Sequence, residues 1–131
     1  KLHEKLDQLI INFKQVAPTG LQVESVIDDK IGTMDFAMEL RKSIYLISKE
    51  ALNNVLKYAS ARHLRISLLL VNKQLILEIK DDGHGMDMAS VKSGNGLETM
   101  KQRAITCKGQ CSIISAPGEG TTVRIEFPAT L

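Results

Sequence analysis

Leu75-Ile76-Leu77-Glu78-Ile79-Lys80-Asp81-Asp82-Gly83-His84-Gly85-Met86 is the stretch on which the fold turns. Leu75, Leu77, Ile79 and Asp81 share parity, so in a strand their side chains point to one face. Ile76, Glu78, Lys80 and Asp82 take the other face. Asp81 is thereby aimed toward the core at the strand's end. Burying an unpaired carboxylate costs several kcal/mol, so a hydrogen-bond donor must meet it there. The exocyclic amine of an adenine base could be that donor. The competing reading is an Asp that opens a turn with Gly83, a common local role. The glycines at 83 and 85 let the backbone turn tightly and approach a ligand closely.

Working outward, Leu64 to Val71 forms the preceding strand, joined through the short turn Asn72-Lys73-Gln74. A long helical pattern precedes it, from about Asp35 to Ser60, and Leu21 to Val26 alternates as a strand. The opening stretch is a helix with Leu2, Leu6, Leu9, Ile10 and Phe13 at helical spacing, ended by Ala17-Pro18-Thr19-Gly20. Downstream, a Gly-punctuated segment from Gly83 through Gly96 leads into a helix from Leu97 to about Lys108. Strands Cys111 to Ser115 and Thr121 to Phe127 follow, linked by Ala116-Pro117-Gly118-Glu119-Gly120. Strands and helices mixed with hairpin-length connections predict an α+β fold of two layers, its sheet mostly antiparallel.

A chain of 131 residues fits one domain. Aromatic residues are 4% of the chain and Trp is absent, which argues against a stacking platform for single-stranded nucleic acid. The net charge is +2 with the signs interspersed, so no basic stripe points to a nucleic-acid partner. Cys107 and Cys111 are too few for a disulfide scaffold, and no His lies near enough for a four-ligand zinc site. They read as reduced, structural thiols of a cytosolic protein. No apolar run approaches the ~18 residues of a membrane span. The chain starts at Lys1 rather than Met, which reads as a piece of something longer.

On the long helix, Leu40, Ile44, Ile47, Ala51, Val55 and Tyr58 gather on one apolar stripe. Glu50, Asn54 and Lys57 form a polar stripe along its edge, since neighbours at i+3 and i+4 share a face. A carboxylate, an amide oxygen and an ammonium could hold a hydrated Mg²⁺ and a phosphate, because Mg²⁺ keeps several waters. The plainer reading is a solvated helix flank. Gly94-Asn95-Gly96-Leu97 immediately precedes a helix, whose N-terminal N–H groups attract anions. Neither glycine cluster has the Walker or dinucleotide spacing. Thr121 shares parity with Val123, Ile125 and Phe127, which turns its hydroxyl inward near Asp81.

In this order, the motifs resemble those of the GHKL ATPase superfamily (gyrase, Hsp90, histidine kinases and MutL). The likeness is nearest to ATP-binding domains of sensor histidine kinases of the NarX/DesK-like class. Glu50-Ala51-Leu52-Asn53-Asn54-Val55-Leu56-Lys57-Tyr58-Ala59 is similar to the N box of that group. Asp81-x-Gly83-x-Gly85 looks like the G1 box, Gly94-x-Gly96-Leu97 the G2 box, and Gly118-x-Gly120-Thr121-Thr122 the last glycine-threonine motif. The resemblance spans roughly residues 21 to 128 and implies a Bergerat-type sandwich with helices covering one face of the sheet. It implies that Asn54 ligates Mg²⁺, Glu50 orients water or the metal shell, and Lys57 contacts phosphate. Asp81, with Gly83, Gly85 and Met86, would take the adenine of ATP. Gly94, Gly96 and Leu97 would anchor a lid, and Thr121 or Thr122 would complete the base pocket, strand parity favouring Thr121.

The implied activity is transfer of the γ-phosphoryl group of ATP to a histidine on a separate dimerisation domain. Residues 1–19 would lead out of that missing domain and residues 20–131 would form the catalytic domain. A response regulator would act downstream, and this chain would be the cytoplasmic domain of a parent attached to the inner, cytoplasmic membrane. Tyr58 stands where the N box usually has His, and the lid, Asp87 to Ser93, is short, as in the NarX-like group. Leu2-His3-Glu4 faintly echoes an acceptor motif, yet only 46 residues lie between His3 and Glu50, too few for a helical hairpin plus strand. His3 therefore reads as a solvated helix residue, and His63 and His84 as structural. Two other functions use the same residues: a non-catalytic nucleotide-binding regulator, and a serine kinase of the anti-sigma-factor type. The complete set of Glu50, Asn54 and Asp81 favours catalysis over the first.

Overall fold

In the computed structural model, residues 1–88 and 96–129 are described, positions 58 and 59 by their backbone alone. Five strands form one sheet: β1 (Gln22–Ile27), β2 (His63–Val71), β3 (Gln74–Asp81), β4 (Gln110–Ser115) and β5 (Thr121–Pro128). Their spatial order is β1-β2-β3-β5-β4, with β1 parallel to β2 and every other pairing antiparallel. Helices α1 (Leu2–Val16), α2 (Met38–Asn54) and α3 (Leu97–Thr106) cover one face. The expected two-layer α+β architecture, mostly antiparallel and covered on one side, is what the chain adopts.

Side-chain alternation decides which face is covered. Leu75, Leu77 and Ile79 of β3 are all buried, and the ladder sets them beside equivalent residues of β2 and β5. Ile79 lies between Ile66 and Val123, and Leu77 between Leu68 and Ile125. Onto this floor α2 lays Leu40, Ile44, Ile47 and Ala51, and α3 lays Leu97, Met100 and Ala104. On the opposite face Arg124 bridges Glu78 and Glu126 at 3.3 and 3.2 Å, which keeps that face polar at its centre.

Helix α1 packs onto the domain that follows it. Leu2, Leu6, Ile10 and Phe13 are 1–5% exposed and belong to the same core as α2 and β3. His3, expected as a solvated residue, is only partly exposed: its ring lies 3.8 Å from where a Cβ on Gly32 would sit, and its Nδ1 is buried without a hydrogen-bond partner among the described residues.

Local chemistry adjusts several boundaries. A 3-10 turn at Asp29–Thr33, which the sequence pattern did not reveal, is capped by the Asp28 carboxylate accepting from Lys30 N at 3.1 Å. Helix α2 begins three residues later than its periodicity suggests, because Phe36 is buried in an extended segment. Arg41 Nε ties that entry by donating to Phe36 O at 3.1 Å. The same helix changes at Val55 into a π-helical turn, Val55–Ala59, closed by Ser60 in the left-handed region. The β2–β3 hairpin turns on two residues, Asn72 and Lys73, both with positive φ. That backbone matches the twist of paired strands, and Gln74 is therefore ladder rather than loop.

Leu6→Ala tests whether α1 is integral to the domain. Removing a side chain that is 1% exposed should cost about 2–5 kcal/mol in urea unfolding. A loss within about 0.5 kcal/mol, as at a surface position, would make α1 a loosely held extension.

Candidate nucleotide site

One end of the two layers is left open between α2 and the sheet. Ala51, Asn54, Val55, Ile79, Asp81, Gly85, Met86, Leu97, Thr121 and Val123 line a cavity there. A largely apolar lining with a few convergent polar groups is the character of a small-molecule site. Asn54 and Asp81, nominated on separate elements, thus face one space.

The sheet register builds its polar wall. Asp81 pairs with Thr121, and Thr121 pairs with Ser115, so the three occupy one row across β3, β5 and β4. All three belong to the helix-facing set. Asp81 is 6% exposed and its Oδ1 accepts from Gly83 N at 2.8 Å. Burial pushes its carboxyl above the ordinary value, against the opposing pull of hydrogen bonds from the Gly83 and Thr121 backbones. Its neighbour Asp82 points the other way. There it accepts from Arg62 N and His63 N at 2.8 Å each and pairs with His63 Nδ1 at 2.7 Å. Hydrogen bonds from the His63 backbone and ring pull the Asp82 carboxyl down to about 2.

Backbone packing supports the wall from outside. Gly118 N donates to His84 O at 2.5 Å, and Met86 N donates to Ser115 Oγ at 2.7 Å, so the β4–β5 turn holds the loop after β3. Gly85 has φ +71°, and a Cβ there would overlap Ala116 O. Gly120 has φ +75°, and a Cβ there would overlap Asp81 O. These contacts and the left-handed backbone both require glycine.

The remaining expected residues divide. Met86 and Leu97 line the cavity, and Gly83 is buried and bonded to Asp81. Gly96 caps α3 with φ +84°, and a Cβ there would overlap the Glu50 carboxylate. Glu50 therefore sits against the α3 N-terminus, where a negative charge is favoured. Lys57 is exposed and is not among the lining residues. It belongs to the π-helical turn Val55–Ala59 that follows α2, and Glu50 is likewise not among the lining residues. Thr122 pairs with Lys80 on the uncovered face, so parity selects Thr121 for the cavity. Gly94 and the lid beyond Met88 lie outside the described residues, as does the side chain of Tyr58.

Two contributions escaped the sequence reading. Val55, Ile79 and Val123 form the apolar walls, although their periodicity marked them only as core. Ser115 was not singled out, yet its parity with Cys111 and Ile113 already placed it on the inner face. Among the described residues no group of three or more His, Cys, Asp or Glu could hold a metal. A cation here would have to share its coordination with a ligand. The Asn54 amide oxygen, with Glu50 one helical turn earlier, fits a hydrated Mg²⁺ that needs only one or two protein oxygens. Cys107 and Cys111 are free thiols, and Cys107 Sγ lies 3.2 Å from Ser43 Oγ. No helix among the described residues is long and apolar enough to cross a membrane.

Comparison with known proteins points the same way. The profile of the family described as histidine kinase-, DNA gyrase B- and HSP90-like ATPase matches residues 39–131. The sensor histidine kinase LiaS of Bacillus subtilis is 31% identical over 128 residues, covering 97% of this chain and 34% of that protein. The signal transduction histidine-protein kinase/phosphatase DegS of Brevibacillus brevis is 34% identical over 96 residues, 72% of this chain and 25% of its own. The chain therefore spans about a third or less of these relatives. A blue-light activated histidine kinase of Erythrobacter litoralis shares the fold with a TM-score of 0.80 at 20% identity, over 95% of this chain and 40% of that one. The histidine kinase AdeS of Acinetobacter baumannii does so with a TM-score of 0.75 at 18% identity, over 98% and 65%.

The two aspartates should show opposite pH signatures. Asp81 has a raised carboxyl, so its stability contribution is full below its ordinary value of 3.8 and is lost as pH rises through the raised value. Asp81→Asn should therefore raise the melting temperature of the empty domain at pH 7, with the gap closing toward pH 3. Asp82 has a lowered carboxyl, so its contribution is present above 3.8 and is lost as pH falls toward about 2. Asp82→Ala should lower the melting temperature at pH 7, with the deficit shrinking as the solution is acidified. Thermal melts across that range check both signs.

Proposed function

The chain belongs to the histidine kinase-, DNA gyrase B- and HSP90-like ATPase family, and from that premise we propose that it binds Mg-ATP and donates the γ-phosphoryl group to a histidine on a separate dimerisation domain. It would be the catalytic part of a two-component sensor histidine kinase of the NarX/DesK-like class. The observation that carries this reading is the single cavity shared by Asn54 of α2 with Asp81 and Thr121 of the sheet. An adenine amine donating to the Asp81 carboxylate answers the burial that otherwise disfavours its charge. Val55, Ile79, Met86 and Val123 would sandwich the base, and the phosphates would run toward Asn54 and the N-terminus of α3.

Asn54 and Glu50 would hold the hydrated Mg²⁺, which supplies charge neutralisation to the phosphates when bound. Transfer forms a bond from the acceptor imidazole nitrogen to the γ-phosphorus. It breaks the bond from that phosphorus to the β–γ bridging oxygen, and ADP leaves. Catalysis is then mainly positioning and electrostatics. Gly94 and Gly96 would anchor the lid over the phosphates, and Lys57 would meet the triphosphate once nucleotide draws the π-helical segment inward. Residues 1–19 would lead from the dimerisation domain, with α1 docked on residues 20–131. The parent would sit at the cytoplasmic face of the membrane and pass its phosphate to a response regulator.

Labelled ATP mixed with this chain and the dimerisation domain of its own parent should yield acid-labile phosphohistidine on the latter. Acid-stable phosphoserine on another partner would replace this reading with a serine kinase, and ATP binding without transfer would leave a regulatory module. Asp81→Asn should weaken ATP binding at least tenfold, about 1.4 kcal/mol. Asn54→Asp should retain binding while cutting Mg²⁺-dependent transfer by a similar factor or more. Normal ATP affinity in the Asp81 variant would refute the base pocket.

A further inference from the structure

We propose that Ser115, which does not line the cavity, sets the hydrogen-bonding polarity of the base pocket and thereby its preference for a 6-amino purine. The inference rests on the reading that this cavity takes the base of ATP. Ser115 ends β4 opposite Thr121, with its side chain on the covered face of the sheet. Three polar atoms surround its hydroxyl: Met86 N at 2.7 Å, Gly120 O at 2.9 Å and Thr121 Oγ1 at 2.8 Å.

A serine hydroxyl has one proton and two lone pairs. Met86 N–H can only donate, and the Gly120 carbonyl can only accept. The Ser115 proton therefore goes to Gly120, and one of its lone pairs receives Met86 N–H. Only the other lone pair remains for Thr121, so Thr121 must donate to Ser115. This is the one arrangement that satisfies all three contacts.

The consequence falls on the cavity. Thr121 lines the cavity, and with its proton turned toward Ser115 its hydroxyl has only lone pairs left for a ligand. Asp81 stands beside it in the same cross-strand row, offering carboxylate oxygens. A wall of acceptors matches an exocyclic amine and opposes an oxo group. Adenine carries the amine at C6, whereas guanine and hypoxanthine carry an oxo group there. Without the Ser115 hydroxyl, Thr121 is free to rotate and donate, and the wall no longer discriminates. Ser115 is thus a positioning residue for specificity.

Calorimetric titration of the 131-residue chain with Mg-ATP and Mg-inosine triphosphate tests this. The two nucleotides differ at C6, amine against oxo, and at N1, where the second carries a proton; purine riboside triphosphate, which lacks the amine and leaves N1 unprotonated, separates the two differences. The unmodified chain should prefer ATP. Ser115→Ala should lower the ratio of the two affinities about three- to tenfold, the range of one neutral hydrogen bond. Ser115→Thr, which keeps a hydroxyl, should restore it. Thr121→Val should lower the ratio likewise, and adding Ser115→Ala to it should lower it no further. A purely structural role would weaken both nucleotides alike, so a ratio in Ser115→Ala within about twofold of the unmodified chain overturns the inference. Should that variant fail to fold in a melt without nucleotide, an unchanged ratio in Thr121→Val overturns it instead. If the unmodified chain binds ATP yet shows no preference over inosine triphosphate, the polarity argument alone fails. If it binds neither, the proposed function fails first.

Discussion

A carboxylate held inside the protein at the end of a strand is the constraint from which the rest of the site follows. Asp81 closes the run of Leu75, Leu77 and Ile79, so the alternation that builds the core also delivers the charge. A one-residue slip in register would turn Asp81 to solvent and bring Lys80 or Asp82 inward. The domain keeps the carboxylate tolerable with two backbone donors, Gly83 and Thr121, yet burial still outweighs them. A protein selected only for stability would place an apolar residue there. Retaining the charge makes sense where a ligand completes its solvation, and perturbed carboxyls in clefts mark functional sites for that reason.

Everything near Asp81 is arranged to let backbone approach backbone. Gly85 and Gly120 leave no room for a methyl group between the loop after β3 and the β4–β5 turn. Ser115 and Gly118 tie those two segments with hydrogen bonds. The pocket wall is thus a joint between three strand ends rather than the surface of one. On the other side, α2 contributes Ala51, Asn54 and Val55 from its last turn and the π-helical winding that follows. A change of winding beside a site is a known way to re-aim side chains. Here Lys57 lies within that winding, whereas Glu50 and Asn54 belong to α2.

Much of this was legible in the sequence because the period of a strand is two and that of a helix 3.6. Parity alone placed Asp81 and Thr121 inward, and favoured Thr121 over Thr122. Helical spacing put Glu50 and Asn54 beside the core stripe of α2. What could not be read is set by contacts distant in sequence. The π-helical turn at Val55–Ala59 has no compositional mark, and the burial of Phe36 that delays α2 depends on packing. The docking of α1 needed the three-dimensional core, although Leu2, Leu6, Ile10 and Phe13 formed a visible stripe. Ser115 was hidden for another reason: its role depends on which of three neighbours can donate, and those neighbours come from two different loops and a strand.

The central claim is that Asp81 and Asn54 serve one nucleotide in one cavity. Titrating the chain with Mg-ATP while following its amide and side-chain NMR signals tests this directly. The account predicts that the Gly83, Met86 and Thr121 amides and the Asn54 side-chain amide shift together along a single saturation curve. Asn54 remaining still while the Asp81 segment saturates, or the two following different curves, would contradict it.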